Sequence, residues 1–327
     1  MATKVSVILS CYNQREFVRQ AVDSVLGQTY PNIELIATDN GSTDGTGGIL
    51  RSYERDPRVR VILRTLNGNL NTLANEATAL STGEFISLLH GDDYYLAEKI
   101  ERQMASFAGL GPDFGAVYGP SYRMNDLTGE QWLDRTVMDS GLILEQMLLK
   151  FHSDGGINII APLIRRECFL RYPFREEFFM EGESIFFRMA MSFKFRYLGE
   201  PLTVMRDHMT NMGKAMRKNR DWVVPLFERL GAEPDFPPNR RHALRRFLGR
   251  HLRNYGWQGL RFIDDPVWAR ECFLMAVRRD PAQLLHPRTL VGLGILALPT
   301  SVIAAFNRVM SGLVKYRVNA VYKNNYV

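Results

Sequence analysis

The stretch Leu88-Leu-His-Gly-Asp-Asp93 ends an apolar run with an imidazole and two adjacent carboxylates. Neighbouring carboxylates repel, so such a pair sits in solvent, caps a helix or holds a cation. A hard cation such as Mg2+ or Mn2+ takes oxygen ligands and often bridges to a ligand's phosphates, offsetting the charge on a departing diphosphate. One of Asp92 and Asp93 also suits the N-cap of a helix beginning near Tyr95, which leaves the other for metal. Two more acids, Glu181 and Glu183, flank Gly182 in Phe179-Met-Glu-Gly-Glu-Ser-Ile-Phe-Phe-Arg188. Without any catalysis, they read as the acidic first turn of a helix, favoured by its dipole.

These groups need elements to hold them. Residues 5–10 are a β-branched apolar run, and residues 16–26 carry Phe17, Ala21, Val22, Val25 and Leu26 at helical spacing. A second strand covers 33–38, and a turn follows in which Thr43 or Asp44 caps a helix reaching residue 53. A strand at 59–63, a helix at 70–80 and a strand at 84–89 complete the series, and the last delivers HGDD at its C-terminal end. Apolar strands alternating with helices predict an α/β fold, a mostly parallel sheet covered on both faces. Ligands of such sheets bind beyond the carboxyl ends of the strands, where Asn13, Asp39 and Asp92 all fall.

The pattern continues with an apolar segment at 116–119, a helix near 142–150, the segment 157–165, a helix at 183–193 and a strand at 195–199. Beyond residue 220 the chain turns helical and basic, so the expected division is 1–220 and 221–327, with an amphipathic helix at 268–277. Between Arg206 and Arg261 there are thirteen Lys or Arg against five Asp or Glu. No nucleic-acid motif accompanies them, so solvated helix faces, or an anionic membrane surface, are the partners expected of this charge. Residues 289–306 carry no charge but are diluted by Gly292, Gly294 and Pro299, short of the roughly twenty apolar residues of a span. A buried or interface-lying helical hairpin is expected there, with membrane contact of some kind as the alternative.

At 327 residues and 46% hydrophobic content the chain can bury a large core. Its three cysteines, Cys11, Cys168 and Cys272, suit a reducing compartment and give neither a disulfide framework nor a zinc site. The opening apolar segment reads as a strand, not a signal peptide. Neither GxGxxG nor GxxxxGK[ST], and neither GxSxG nor HExxH, occurs, which leaves carboxylates at strand ends as the chemistry on offer.

Three segments together resemble a known family: Val7-Ile-Leu-Ser-Cys-Tyr-Asn-Gln14, Ala21-Val-Asp-Ser-Val-Leu-Gly-Gln-Thr-Tyr-Pro31 and Asp39-Asn-Gly-Ser-Thr-Asp-Gly-Thr46. They are similar to the strand-one run and the most recognisable stretches of inverting family 2 glycosyltransferases with a GT-A fold, over roughly residues 4–210. The resemblance implies that Ser10, Tyr12, Asn13 and Asp39 line the site of a nucleotide-diphospho-sugar donor. It sets HGDD on the family's Asp-x-Asp motif, with His90 at the first acid and Asp92 at the second, the usual metal ligand. His208, after Met205-Arg-Asp, matches an Arg-x-His segment that returns to the diphosphate and the metal. Mn2+ or Mg2+ is the implied cofactor.

An inverting transfer needs a base for the acceptor hydroxyl. The family supplies it from a Glu-Asp pair with an arginine six positions after the Asp. Arg188 matches that arginine, but the Asp position is Gly182, which leaves Glu181 or Glu183 as the base. His152 falls in the region that shapes the acceptor side. Asn75 matches the family's Arg-Asn pair, with Ala74 in place of the arginine. The resemblance thus implies transfer of a sugar to a glycan or lipid-linked acceptor in surface polysaccharide or glycolipid synthesis. The setting would be cytoplasmic, at the inner face of the membrane, compatible with peripheral membrane contact and with a homo-oligomer. The rival expectation is a catalytically impaired relative that binds a nucleotide sugar or a partner protein.

Overall fold

The structure, a computed structural model, describes residues 2–134, 137–150, 159–208, 210–211, 216–263, 265–299, 301–303, 305 and 307. The chain divides into two compact units, Met1–His208 and Met209–Val327. The division precedes the expected one at residue 220, because a helix runs through that position, Met216–Gly231.

In the first unit, strand β1 (Val5–Cys11) is buried on both faces, as expected of a mostly apolar strand in a parallel sheet. Helix α1 (Val18–Leu26) buries Val18, Ala21, Val22 and Val25, one stripe of a 3.6-residue period. Then come β2 (Ile33–Asp39), α2 (Thr46–Ser52), β3 (Val59–Leu63), α3 (Leu70–Leu80) and β4 (Phe85–His90). Strand β1 lies between β2 and β4, parallel to both, with Ser10 opposite Thr38 and His90, and Cys11 opposite Asp39. The three carboxyl ends are therefore level, and everything that follows them emerges on one edge. The cap expected from Thr43 or Asp44 falls instead on Gly45, which makes no side-chain cap bond, while Asp44 Oδ1 accepts from the Thr46 backbone N–H (2.9 Å) and hydroxyl (2.6 Å).

After β4 the chain forms β5 (Tyr94–Tyr95), α4 (Lys99–Phe107), β6 (Phe114–Tyr118), β7 (Ser121–Asn125), β8 (Gln131–Asp134) and α5 (Leu144–Lys150). The unit ends with β9 (Leu163–Arg165), α6 (Arg166–Arg171), α7 (Ile185–Met189), β10 (Lys194–Tyr197) and β11 (Thr203–Asp207). Among the described residues the main sheet runs β10-β6-β9-β4-β1-β2-β3, and β9 alone is antiparallel to its neighbours. A smaller sheet runs β5-β11-β7-β8. No helix begins at Tyr95: Tyr94 and Tyr95 pair antiparallel with Val204 and Thr203, and neither Asp92 nor Asp93 is an N-cap. The helix expected over 183–193 is shorter, one 3₁₀ turn (Gly182–Ser184) followed by α7.

The second unit packs α8 (Met216–Gly231), α9 (Arg241–Gln258), α10 (Pro266–Arg279) and α11 (Pro287–Ile295). The expected amphipathic helix falls within α10, which is capped by Asp265 accepting from the Trp268 N–H at 2.9 Å. Phe247 packs against Phe227 with the rings tilted and 4.2 Å between centroids, and Gly256 and Gly292 let two helices approach the ring of Phe273. No helix among the described residues is long and apolar enough to cross a membrane.

Candidate active site

Acids converge at the carboxyl edge of β1, β2 and β4. The buried thiol of Cys11 registers this, since burial raises its pKa and Asp39, Asp92 and Asp44 raise it further. All three cysteines are buried thiols, Cys11 among them, consistent with a packing role. Gly91 is glycine for space, because a Cβ there would lie 2.6 Å from Cys11 Sγ and against the Gln14 side chain.

On the donor side, Asp39 is buried and accepts from the Ser42 hydroxyl and, at 3.4 Å, from its backbone N–H. Burial raises the pKa of Asp39 and the Ser42 bonds pull against it. Asn13 adopts a positive φ of 52°, in the left-handed region that asparagine tolerates. Its Oδ1 accepts from Thr43 N (2.9 Å) and its N–H donates to Ser42 Oγ (2.8 Å), tying the β1 end to the turn after β2. Tyr12 is exposed beside it, and Ser10 is half-buried in β1. Asn13 and Asp39, expected from the strand pattern at the carboxyl ends, lie there, with Ser10 and Tyr12 beside them on β1 and just after it.

The HGDD segment splits its two acids between different tasks. Asp93 is buried and accepts the Arg206 N–H at 2.9 Å, which docks the end of β11. Burial, with Asp92 alongside, pushes Asp93 up to about 8. Asp92 Oδ2 accepts from His208 Nε2 at 2.9 Å, and the two side chains are 13% and 9% exposed. Burial works against ionisation of Asp92, but the bond to His208 and the field of His90 outweigh it and lower its pKa. Phe17 stacks on the His208 ring at 4.9 Å and fixes its plane. These residues lie over a hundred positions apart in sequence, and the β5–β11 pairing is what joins them.

Among the described residues no cluster of three or more His, Cys, Asp or Glu can cage a metal alone. The pair Asp92 and His208 still fits a shared cation. Such ions are commonly bound by one or two carboxylates plus substrate phosphates rather than by an all-protein cage.

The two glutamates beside Gly182 point to opposite environments. The Glu181 side chain is 1% exposed and its Oε1 lies 3.1 Å from Arg188 Nη1, itself 9% exposed. Glu181 Oε2 also accepts the Arg175 N–H at 3.0 Å, and the Glu181 N–H donates to Asn71 Oδ1 at 2.9 Å. Burial raises the Glu181 pKa against the pull of Arg188. This carboxylate holds the loop together and is withdrawn from the cleft. Glu183 is 38% exposed, and its Oε1 lies 3.3 Å from His90 Nε2, on a ring that is 52% exposed. Desolvation opposes both charges, yet each partner stabilises the other: Glu183 is lowered and His90 is raised to about 9. Gly182, at φ 52°, is the joint that turns the chain between them, and a Cβ there would meet nothing within 4 Å. Arg188, matched to the family's arginine, pairs with Glu181 and donates to the Pro173 carbonyl at 2.7 Å.

Sequence reasoning missed the clamp that sets this loop. Asn71 and Asn75, one turn apart on α3, donate to the carbonyls of Arg175 (2.6 Å) and Phe174 (2.9 Å). Two asparagines at i and i+4 on one helix face were the available signal. Asn75, matched to the family's Arg-Asn pair, is thus a structural residue here. His152 lies outside the described residues.

The topology and this edge define a GT-A fold. TarS of S. aureus (residues 1–349, in complex with UDP-GlcNAc) superposes with a TM-score of 0.66 over 90% of each chain at 16% identity. A mannosyltransferase from Pyrobaculum calidifontis, PcManGT with GDP-Man and Mn2+, gives 0.58 over 100% of this chain and 84% of its own, also at 16%. The family model "Glycosyl transferase family 2" matches residues 6–192, more than half the chain, and the protein belongs to that family. Among its relatives, TuaG of Bacillus subtilis, a candidate teichuronic acid biosynthesis glycosyltransferase, is 38% identical over 101 residues, 31% of this chain and 40% of its own. The glycosyltransferase GlyG of Streptococcus pneumoniae is 27% identical over 244 residues, 70% of this chain and 78% of its own. The match to TuaG thus spans well under two thirds of that relative.

Proposed function

We propose that this glycosyltransferase moves a sugar from a nucleotide-diphospho-sugar to an acceptor hydroxyl with inversion, using Glu183 as the general base. The observation that carries this is the His90–Glu183 pair, a partly exposed carboxylate beside the end of β4 while Glu181 is buried. His90 takes the place of the family's first acid, and Gly182 that of its base. Together the two changes leave a carboxylate one residue along, held by the imidazole at HGDD.

In the step itself the Glu183 carboxylate takes the acceptor hydroxyl proton as that oxygen bonds to the anomeric carbon. The bond from that carbon to the diphosphate breaks, and its electron pair leaves with the diphosphate. His90 keeps Glu183 ionised and oriented, and lends positive charge to the diphosphate side. Asp39, Ser42 and Asn13 shape a rigid floor for the nucleoside, with Ser10 and Tyr12 beside it. Asp92 and His208 would hold Mn2+ or Mg2+, which supplies neutralisation of the diphosphate charge.

The similarity to a teichuronic acid biosynthesis glycosyltransferase supports a surface polysaccharide or glycolipid acceptor, and the proposed setting is the inner face of the cytoplasmic membrane. The rival reading of an impaired binding module is less supported, because a half-exposed ionised glutamate in the cleft has no packing task. Turnover with a panel of nucleotide sugars, and the anomeric configuration of the product by NMR, tests the proposal. Wild type should invert, and Glu183→Gln should lose about a hundredfold or more in kcat while still binding nucleotide. Full turnover in Glu183→Gln would remove it from the role.

A further inference from the structure

The second unit presents a surface that the transfer chemistry does not use. Among residues 281–299 the exposed positions are Pro, Ala, Leu, Val and Gly, with Arg288 the one charge. Leu285 is 79% exposed, Leu290 52% and Val291 50%. The cause is local: α11 turns Thr289, Gly292 and Ile295 inward, Gly292 against the Phe273 ring, which sends Leu290 and Val291 outward. Single exposed leucines are ordinary, but a contiguous apolar run marks an interaction surface.

Cations gather at the foot of that run. Arg253 on α9 is buried and donates through Nη1 to Gln283 Oε1 at 2.8 Å, within the turn that carries Leu284 and Leu285. Arg288 and Arg250 are close enough that, after burial, their charges help bring Arg253 down to about 10, and Asp280 opposes them. His286 is lowered by burial and then by the same two residues, Arg253 and Arg288. From Pro281 to Val327 the sequence has five Lys or Arg and no Asp or Glu.

A two-fold contact of this face with itself would offer Arg288 no acid, because residues 281–299 contain none. A lipid headgroup phosphate with acyl chains beneath answers both the cations and the apolar run. We propose that residues 281–299 dock the chain on an anionic bilayer, with Leu284, Leu285, Leu290 and Val291 entering the acyl boundary. Arg288, backed by Arg253, meets the lipid phosphates. The helices lie on the surface and do not cross it. This surface is independent of the donor site, and its test does not rely on turnover.

The test is co-sedimentation of the full chain with vesicles of phosphatidylcholine alone or of an equal mixture with phosphatidylglycerol. Wild type should partition at least tenfold more strongly onto the mixed vesicles and lose that preference at high salt. Leu285→Asp, Leu290→Asp and Arg288→Glu should each weaken partitioning about tenfold, the loss expected for one inserted apolar group or one headgroup contact. Leu127→Asp, at a 72% exposed leucine of the first unit, should leave it unchanged. Thermal melts of the variants separate loss of binding from loss of fold. Absent or lipid-indifferent binding by wild type, or wild-type binding by the folded leucine variants, overturns the proposal. So does sedimentation equilibrium showing a dimer that Leu285→Asp dissociates, which would assign the face to a second copy.

Discussion

Replacing Glu181 with glutamine distinguishes a glutamate that holds the fold from one that does the chemistry. The substitution keeps side-chain volume and one acceptor oxygen but removes the charge that Arg188 faces at 3.1 Å. Removing one partner of a buried ion pair typically costs about 3–5 kcal/mol, because the other charge stays desolvated. Burial already raises the Glu181 pKa, so part of that electrostatic cost exists in the wild type, and the low end, about 3 kcal/mol, is expected here. For a unit of this size that corresponds to a melting shift of about 6–12 °C. Differential scanning calorimetry measures the shift. Turnover per folded molecule, assayed well below the melting temperature, should stay within about threefold of wild type, far less than the loss of a general base. Unchanged melting with turnover lost a hundredfold would refute the assignment and return the base role to Glu181.

Two smaller tests probe the parts that support the site. Lys99 is fully buried on α4, and its Nζ donates to Ser87 Oγ and Gln103 Oε1, both at 2.8 Å, the two bonds a neutral amine can give. Burial lowers its pKa well below the ordinary value, so the unfolded chain binds the extra proton and stability rises with pH up to about 10.4. As pH rises toward the unfolded lysine value of about 10.4, the urea-unfolding free energy of wild type minus that of Lys99→Met should rise, by at most about 1.4 kcal/mol per pH unit. A flat difference would mean that the buried amine stays charged. Gly182→Ala should cost about 1–2 kcal/mol through its left-handed φ, not through contact, since the added methyl meets nothing within 4 Å. Gly182→Asn, better suited to that conformation, should recover most of the loss in the same denaturation assay.

The strand–helix series of the first ninety or so residues was legible because β1, β2 and β4 are mostly apolar and buried and α1 keeps a clear stripe. The edge holding Asn13, Asp39 and Asp92 followed from it, since parallel neighbours put their carboxyl ends level. What the sequence did not carry is which way each side chain points where the backbone is irregular. Glu181 and Glu183 differ in no sequence feature that would make one buried and the other open. The left-handed Gly182 between them makes that choice, and Asn71 on a distant helix holds it. The pairing of Tyr94 and Tyr95 with β11 was hidden for a related reason. A two-residue strand has no period, and its partner lies more than a hundred residues away. Hence the cap expected from Asp92 or Asp93 became a bond from Asp93 to the Arg206 N–H, and a contact of Asp92 with His208.

The central claim is that the level strand ends hold a nucleotide diphosphate across Asp39 and Asp92. Isothermal titration of UDP and GDP, with and without Mn2+, against wild type and Asp92→Ala tests it most directly. One nucleotide should bind wild type, more tightly with Mn2+, and Asp92→Ala should lose the metal-dependent part. Failure of every nucleotide to bind the folded wild-type chain under either condition would contradict the claim.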